Sequence, residues 1–194
     1  MRLADRFTLT RIILAPIFFV LFLTALWVDT IALPLLIGLV FLLACAELTD
    51  FFDGYFARKL NQVSDLGKLL DPFADVILHM TTFFSFTLAG TMPPVIFLLI
   101  MYREFTMLFL RLLAVKQGVT IAARKGGKFK TVLYVAACFY SLIFEIIKRM
   151  PTLSDAMFSV MPRMGIALYV VCLILCYGSF VDYLISFRSV IRRK

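Results

Sequence analysis

Residues 50–75 read DFFDGYFARKLNQVSDLGKLLDPFAD, and this stretch decides both the fold and the chemistry of the chain. In a helix, residues three or four positions apart lie on one face. Asp50 and Asp53 therefore share a face of one predicted helix. Asp71 and Asp75 likewise lie one turn apart on the next predicted helix. We expect the two helices to bring these four carboxylates together in a small space.

A cluster of four carboxylates near a membrane needs compensation, because like charges repel and their desolvation is costly. Divalent cations provide it, and all-oxygen ligation favours Mg²⁺, or Mn²⁺, over zinc. Two such ions can clamp a phosphoryl group between its attacking and leaving oxygens. Gly54 and Gly67 leave room for a nucleotide to approach the backbone. The alternative, solvated aspartates at helix ends, does not explain four acids on otherwise apolar helices.

The composition is typical of an integral membrane protein. Of 194 residues, 62% are hydrophobic and 16% are charged, and the mean hydropathy is +0.98. The net charge of +8 indicates a lipid surface and anionic substrates as partners, rather than nucleic acid. All four cysteines lie in apolar runs. We interpret them as small buried hydrophobic residues, not as a disulfide framework or a zinc site.

Six apolar segments approach or exceed the ~20 residues that a helix needs to cross a bilayer. They are residues 9–28, 31–58, 67–89, 93–115, 129–147 and 164–187. Residues 1–7 include Arg2 and Arg6 and are predicted to form a short amphipathic segment along the membrane surface. The predicted fold class is an all-α integral membrane protein with six transmembrane helices, in a single domain over residues 1–194.

Basic residues are distributed unevenly between the two ends of these segments. Most lie on the side that carries both termini, and only Lys148, Arg149 and Arg163 fall on the opposite side. The positive-inside rule then places the termini and the aspartates at the cytoplasmic face of the inner membrane, with the chain crossing it several times.

The order D-x-x-D-G-x-x-A-R-x₈-G-x-x-x-D-x-x-x-D resembles the signature of the CDP-alcohol phosphotransferase family of membrane enzymes. The matching positions are Asp50, Asp53, Gly54, Ala57, Arg58, Gly67, Asp71 and Asp75. The resemblance implies a CDP-activated donor, an attacking acceptor hydroxyl and CMP as the leaving group. It implies that Asp50 and Asp71 bridge two divalent cations, whose shells Asp53 and Asp75 complete. Asp75 is also the family's general base on the acceptor hydroxyl.

The resemblance further implies contacts between the CDP moiety and residues of the motif and of the N-terminal region. They are Thr8, Arg11, Gly54, Ala57, Arg58, Ser64 and Gly67. Thr8 and Arg11 match a T-x-x-R pattern of the same enzymes, although the usual Asn-Pro element before it is absent. The Arg58 guanidinium suits a diphosphate because it can donate two parallel hydrogen bonds.

A second set of basic residues, Arg103, Arg111, Lys128 and Lys130, indicates where the acceptor binds. Arg103 lies roughly 15 Å into an apolar run at helical rise, and an ionisable residue at that depth is a functional candidate. We predict that the four side chains form a pocket for the phosphate of the acceptor. The alternatives are a local pair between Arg103 and Glu104, and lysines that only anchor the fifth segment.

The motifs R-E-F, R-L-L-A and G-K-F-K-T within residues 103–131, together with D-P-F-A-D, resemble one bacterial branch of the family. That branch transfers the phosphatidyl group from CDP-diacylglycerol to sn-glycerol 3-phosphate, although Val76 stands where it has a lysine. Inositol phosphate, serine and phosphatidylglycerol are the alternative acceptors. A divalent-cation transporter is the alternative outside the family. The resemblance also implies a homodimer.

Four further residues have weaker interpretations. His79, one turn beyond the last aspartate, is interpreted as a hydrogen-bonded core histidine, with a supporting role at the site as the alternative. Glu47, one turn before the first aspartate, either tunes the site or caps a polar cavity. Glu145 and Lys148 are three residues apart and are predicted to pair on a helix surface.

Overall fold

Six α-helices follow one another in the part of the chain that the structure describes. The computed structural model describes the backbone of residues 3–59, 65–116, 125–150 and 155–191, and the side chains of residues 8–49, 70–116, 129–150 and 159–185. The helices are α1 (Leu3–Trp27), α2 (Asp29–Lys59), α3 (Asp65–Leu88), α4 (Pro94–Lys116), α5 (Lys125–Ile147) and α6 (Asp155–Ile191). No strand occurs within these ranges, and the predicted all-α class is confirmed.

Four of the described helical stretches are long and apolar enough to cross a membrane. They are Thr8–Trp27, Asp29–Thr49, Phe129–Ile147 and Ser159–Ile185. Helices α3 and α4 differ from these because charged residues interrupt their apolar sequence. The chain is therefore a helical membrane protein, and the crossing of the membrane by α3 and α4 stays a prediction.

Residues 3–7 form the first turns of α1, so the helix has no break where the sequence analysis ended a separate surface segment. Neither glycine nor proline stands between Leu3 and Ala15, so the backbone has no reason to leave the helical conformation there. Helix α1 thus continues through both predicted segments, and its last residue is separated from α2 by Val28 alone.

Gly90 lies in the turn after α3, between the predicted apolar segments 67–89 and 93–115. Its φ of 73° lies in the left-handed region, which glycine enters without a steric penalty. The Gly90 N–H donates to the Thr87 carbonyl at 3.1 Å, and the Thr91 N–H donates to the Phe86 carbonyl at 2.9 Å. This pair of bonds is a Schellman cap, and it turns the chain back into α4.

The contacts between helices define two ends of the bundle. Helix α1 packs against α2 and α3, α5 packs against α2, α3 and α6, and α4 packs against α3 and α6. Near the starts of α1 and α3, Thr8 contacts Asp71. At the opposite end, Arg149 donates to the Ala25 carbonyl close to the end of α1. We call the first the aspartate end and the second the far end.

Aromatic side chains join the helices in the middle of the bundle. Phe22 of α1 meets Phe86 of α3 edge to face, with ring centroids 5.5 Å apart. Phe83 contacts Tyr134 of α5 at 5.2 Å and Tyr169 of α6 at 5.6 Å in the same manner. All five rings are buried. Such edge-to-face pairs add to the apolar burial that fixes the relative positions of α1, α3, α5 and α6.

Glu145 is buried at the far end, so its predicted place on a helix surface was wrong. It pairs with Lys148 at 2.5 Å and with Arg149 at 3.1 Å, and it accepts a hydrogen bond from the Thr91 hydroxyl. The pairing with Lys148 was predicted correctly. Helical spacing reports that two residues are neighbours, but the α3–α4 turn that covers Glu145 is remote in sequence.

The outer faces of the bundle expose large apolar side chains, as expected for contact with lipid. Examples are Ile13, Val20, Phe41, Val95, Phe109 and Ile174. Three cysteines, Cys138, Cys172 and Cys176, are buried as interpreted, whereas Cys45 is exposed and its interpretation was wrong.

Candidate active site

Asp71 and Asp75 lie one turn apart on α3, at the aspartate end of the bundle. About half of the Asp71 side chain (48%) and about a third of the Asp75 side chain (36%) are exposed. The two carboxylates are therefore accessible from outside the protein, although they lie on a helix whose later turns are packed in the core. This placement agrees with the spacing argument made for these two residues.

Helix α1 supplies the partners of both carboxylates. The Thr8 hydroxyl donates to Asp71 Oδ1 at 2.5 Å. Arg11 donates from Nη1 to Asp75 Oδ1, and its Nη2 lies 3.8 Å from Asp71 Oδ1. Both α1 side chains are almost fully buried. The structure thus brings together two residues predicted to contact the nucleotide and two predicted to bind metal.

The first half of the motif lies on a continuous helix. Asp50, Asp53, Gly54, Ala57 and Arg58 all belong to α2, which ends at Lys59, so their spacing has the helical backbone that the prediction assumes. Their side chains lie outside the described residues.

The remaining positions of the motif and of the second basic set are described unevenly. Gly67 lies in the first turn of α3 and Lys128 in the first turns of α5, and neither side-chain position belongs to the described residues. Ser64 lies outside the described residues altogether. The convergence of all four aspartates therefore stays a prediction.

The chemistry of the described donors fits a hard divalent cation. Asp71 and Asp75 offer carboxylate oxygens, one turn apart and partly exposed, and such oxygens are the ligands that Mg²⁺ and Mn²⁺ prefer. Among the side chains that the structure describes, no three His, Cys, Asp or Glu residues gather closely enough to form a complete metal site. A complete shell thus needs donors beyond these two residues.

His79 is buried one turn beyond Asp75, as a core histidine with polar contacts at both ring nitrogens. Its Nδ1 lies 2.8 Å from the Asp75 carbonyl oxygen. Its Nε2 lies 3.4 Å from Glu47 Oε1 on α2. The interpretation as a hydrogen-bonded core histidine is confirmed. The contact with Glu47 also joins α2 to α3 just below the positions of the motif aspartates.

Arg103 is buried between α4 and α6. Its Nε donates to the Cys176 carbonyl at 3.0 Å, and its Nη2 donates to the Ser179 hydroxyl at 2.7 Å. Its Nη1 donates to Glu104 Oε1 at 2.9 Å, which is the local pair that the sequence analysis held as an alternative. The polar groups of α6 were missed because they follow Arg103 by more than seventy residues, and no local pattern marks them.

Lys130 of α5 shares the carboxylate of Glu104. Its Nζ lies 2.7 Å from Glu104 Oε1, and the Tyr134 hydroxyl donates to the same oxygen at 3.0 Å. Two predicted acceptor residues, Arg103 and Lys130, are thus brought together by one carboxylate. Arg111, in contrast, is exposed. We call Arg103, Glu104, Lys130 and Tyr134 the α4–α5 charge cluster.

The α4–α5 charge cluster lies close to the aspartates. The Tyr134 ring meets the His79 ring with centroids 5.7 Å apart, and His79 contacts the Asp75 backbone. One line of side chains therefore leads from Asp75 to the two buried cations.

The fold and the site define a class of protein: a helical membrane protein with paired carboxylates at one end of its bundle and buried cations beside them. The family described as CDP-alcohol phosphatidyltransferase matches residues 1–176 of the chain. The chain belongs to this family of transferases, which are generally dependent on a divalent metal.

Several relatives carry the name CDP-diacylglycerol–glycerol-3-phosphate 3-phosphatidyltransferase, and three of them are compared with the chain below. The protein of Treponema pallidum is 36% identical over 199 aligned residues, which cover 100% of this chain and 92% of the relative. The protein of Bacillus subtilis is 35% identical over 156 residues, covering 75% and 80%. The protein of Aquifex aeolicus is 31% identical over 144 residues, covering 73% and 75%.

Proposed function

We propose that this chain transfers the phosphatidyl group of CDP-diacylglycerol to sn-glycerol 3-phosphate, giving phosphatidylglycerol phosphate and CMP. The observation that carries the proposal is the contact of Thr8 and Arg11 with Asp71 and Asp75, because it unites the predicted nucleotide and metal residues at one end of the bundle. The names of the relatives support the same donor and acceptor. Membership in a transferase family favours this reading over a divalent-cation transporter.

Two divalent cations, Mg²⁺ before Mn²⁺, would be held by Asp50, Asp53, Asp71 and Asp75. When bound, such ions neutralise phosphate charge and polarise the reacting oxygens. The partly exposed carboxylates of Asp71 and Asp75 support this assignment, since oxygen donors that water can reach are also open to a hydrated cation.

Arg11 holds the two carboxylates of α3 in fixed positions. A buried guanidinium offers five N–H donors in a rigid plane, so it can contact Asp75 and lie near Asp71 at once. Thr8 fixes Asp71 from the same helix. Arg58, on the helix that carries the first half of the motif, is the proposed partner of the donor's diphosphate, with Gly54, Ala57, Ser64 and Gly67 around the nucleotide.

Asp75 is the proposed general base. The acceptor hydroxyl oxygen forms a bond to the phosphorus of the diacylglycerol phosphate, and the bond from that phosphorus to CMP breaks. The proton of the hydroxyl passes to the Asp75 carboxylate, and CMP takes the electron pair of the broken bond. Asp75 suits this role because its carboxylate is partly exposed, so an acceptor can come within hydrogen-bond distance of it.

The acceptor's phosphate is proposed to bind beside Arg103, Arg111, Lys128 and Lys130. The α4–α5 charge cluster supports this, since its two cations share one carboxylate and retain one net positive charge. A buried positive charge favours an anionic acceptor over serine. Inositol phosphate would satisfy the same requirement.

The orientation in the membrane and the assembly state are also proposals. The aspartate end would face the cytoplasm, because most of the basic residues lie on that side of the predicted segments. The charged groups of both substrates would be in contact with water there. At the far end, Lys148 and Arg149 are both paired with Glu145. Because this carboxylate offsets part of their charge, these two basic residues are only weak evidence for the opposite orientation. The chain would lie in the inner membrane with its termini in the cytoplasm, as a homodimer.

The test is turnover of CDP-diacylglycerol by the purified protein in detergent with Mg²⁺, against a panel of acceptors. We expect CMP release and a phosphorylated lipid product with sn-glycerol 3-phosphate, and little CMP with serine or phosphatidylglycerol. Faster release with inositol phosphate would replace the acceptor and keep the chemistry. Absence of CMP release with every acceptor would contradict the proposal.

A further inference from the structure

Glu104 is the centre of the α4–α5 charge cluster, although the sequence shows it only as a neighbour of Arg103. Its Oε1 accepts hydrogen bonds from Arg103, Lys130 and Tyr134, at 2.9, 2.7 and 3.0 Å. The Cys176 thiol of α6 lies 3.6 Å from the same oxygen. Glu104 is 3% exposed. One buried carboxylate therefore contacts groups from three helices, α4, α5 and α6.

We propose that Glu104 is a positioning residue, which holds Lys130 where its ammonium group reaches the phosphate of the acceptor. This inference rests on the proposed function, because it requires a phosphorylated acceptor. It also assigns different roles to Arg103 and Lys130, which the sequence analysis placed in one acceptor pocket.

Arg103 is the structural member of the pair. Its guanidinium donates to Glu104 on its own helix and to two groups of α6, the Cys176 carbonyl and the Ser179 hydroxyl. Its side chain is 4% exposed. These bonds use Nε and both terminal nitrogens in one rigid plane, so Arg103 fastens α4 to α6 and has little freedom to reach a ligand.

Lys130 is the cation that a phosphate can reach. Its side chain is 13% exposed, against 4% for Arg103. Its ammonium group has three donors that can rotate into place, and Glu104 takes one of them. The ammonium also lies 4.8 Å from the centre of the Tyr134 ring, which orients it without using a hydrogen bond. A phosphate oxygen can therefore be bound by Lys130 while its bond to Glu104 is kept.

The charge of Glu104 decides whether this arrangement persists. With Glu104 ionised, the two cations and one carboxylate retain one positive charge, which suits one anionic ligand. Without that carboxylate, the buried guanidinium of Arg103 and the half-buried ammonium of Lys130 would face each other with no counter-charge, and both repulsion and desolvation would drive the flexible lysine away. Arg103 would stay, because α6 holds it.

The test is a steady-state comparison of Glu104→Gln with the wild-type protein, with each substrate varied in turn. Glutamine keeps the size of the side chain and removes the charge. We expect the KM for sn-glycerol 3-phosphate to rise about 10- to 100-fold, as for loss of a charge-assisted hydrogen bond. The KM for CDP-diacylglycerol should stay within about twofold. Glu104→Asp, which keeps the charge, should recover part of the loss.

A double-mutant cycle tests whether Glu104 acts through Lys130. Glu104→Gln combined with Lys130→Met should give the same KM for sn-glycerol 3-phosphate as Lys130→Met alone, within about twofold. Effects that multiply would overturn the inference, and so would equal rises in both KM values.

If Glu104→Gln does not fold, Tyr134→Phe removes one hydrogen bond to the same carboxylate. It should raise only the KM for sn-glycerol 3-phosphate, and an unchanged value would overturn the inference.

Glu145→Gln is the matched control. Glu145 is also buried and also pairs with two cations, but it lies about 22 Å from Lys130 along α5. This variant should lower the unfolding temperature and leave both KM values unchanged. The wild-type acceptor panel separates the two proposals: inositol phosphate as acceptor would replace the proposed substrate and keep the role of Glu104, whereas serine would overturn both.

Discussion

Arg11 of α1 donates to the carboxylate of Asp75 on α3, sixty-four residues further along the chain. The arginine is almost fully buried, whereas the aspartate is partly exposed. The cation is thus fixed inside the bundle, and the carboxylate stands between it and the outside. The buried Arg11 guanidinium therefore sets the position of the Asp75 carboxylate, which is the proposed general base.

Replacing Arg11 should impair turnover more than folding. Arg11→Met removes a buried charge and keeps an unbranched apolar side chain, and water can solvate the carboxylates that lose their partner because both are partly exposed. The carboxylates of Asp71 and Asp75 would lose their shared partner, and we expect CMP release to fall by about 10-fold or more. Arg11→Lys should recover only part, since a point charge cannot contact both carboxylates as a guanidinium does. Initial rates at fixed Mg²⁺ measure this, and equal rates for Arg11→Met and wild type would contradict it.

Replacing Asp71 should abolish CMP release while the protein still folds. Asp71→Asn keeps the hydrogen bond from Thr8 and removes the charge, so local structure should survive and metal binding should not. The matched control is Asp29→Asn, at an exposed position in the first turn of α2 at the far end. It should turn over like the wild type. Substantial CMP release by Asp71→Asn, measured with Mg²⁺ in detergent, would exclude the proposed metal role.

The local parts of this picture could be predicted from the sequence, and the long-range parts could not. Apolar runs predicted the helices, because a helix that crosses lipid must be apolar over most of its length. Spacing of four residues predicted that Asp71 and Asp75 share a face. A single sequence does not predict that Ser179 contacts Arg103, since that contact depends on how α4 packs against α6.

Burial was the other quantity that spacing could not provide. Glu145 and Lys148 were predicted to pair, and they do, but the same spacing fits a surface pair and a buried one. The α3–α4 turn decides between them by covering Glu145 with Thr91. The continuity of α1 across residue 7 was equally out of reach of the sequence pattern, because a change from polar to apolar residues marks a change of environment and not the end of a helix.

Replacing His79 should destabilise the junction of α2 and α3. His79→Leu places an apolar side chain against the partly buried Glu47 carboxylate in place of the imidazole 3.4 Å away, which should cost about 1–3 kcal/mol. The double variant His79→Leu with Glu47→Leu removes both polar side chains and should unfold at a higher temperature than His79→Leu alone. Thermal unfolding in detergent measures both. If the single and double variants unfold at the wild-type temperature, the Glu47–His79 contact does not stabilise the protein.

Gly165 of α6 should not tolerate a side chain, whereas Gly178 on the same helix should. A Cβ atom at Gly165 would lie 3.2 Å from Tyr140 Cε1, and at Gly178 it would meet nothing within 4 Å. The Tyr140 ring cannot easily move away, because its hydroxyl donates to the Met161 carbonyl at 2.7 Å. Gly165→Val should therefore overpack the contact between α5 and α6 and cost about 1–3 kcal/mol. Gly178→Val is the matched control and should unfold near the wild-type temperature. If the two variants lower the unfolding temperature equally, valine in α6 causes the effect, and not the contact with Tyr140.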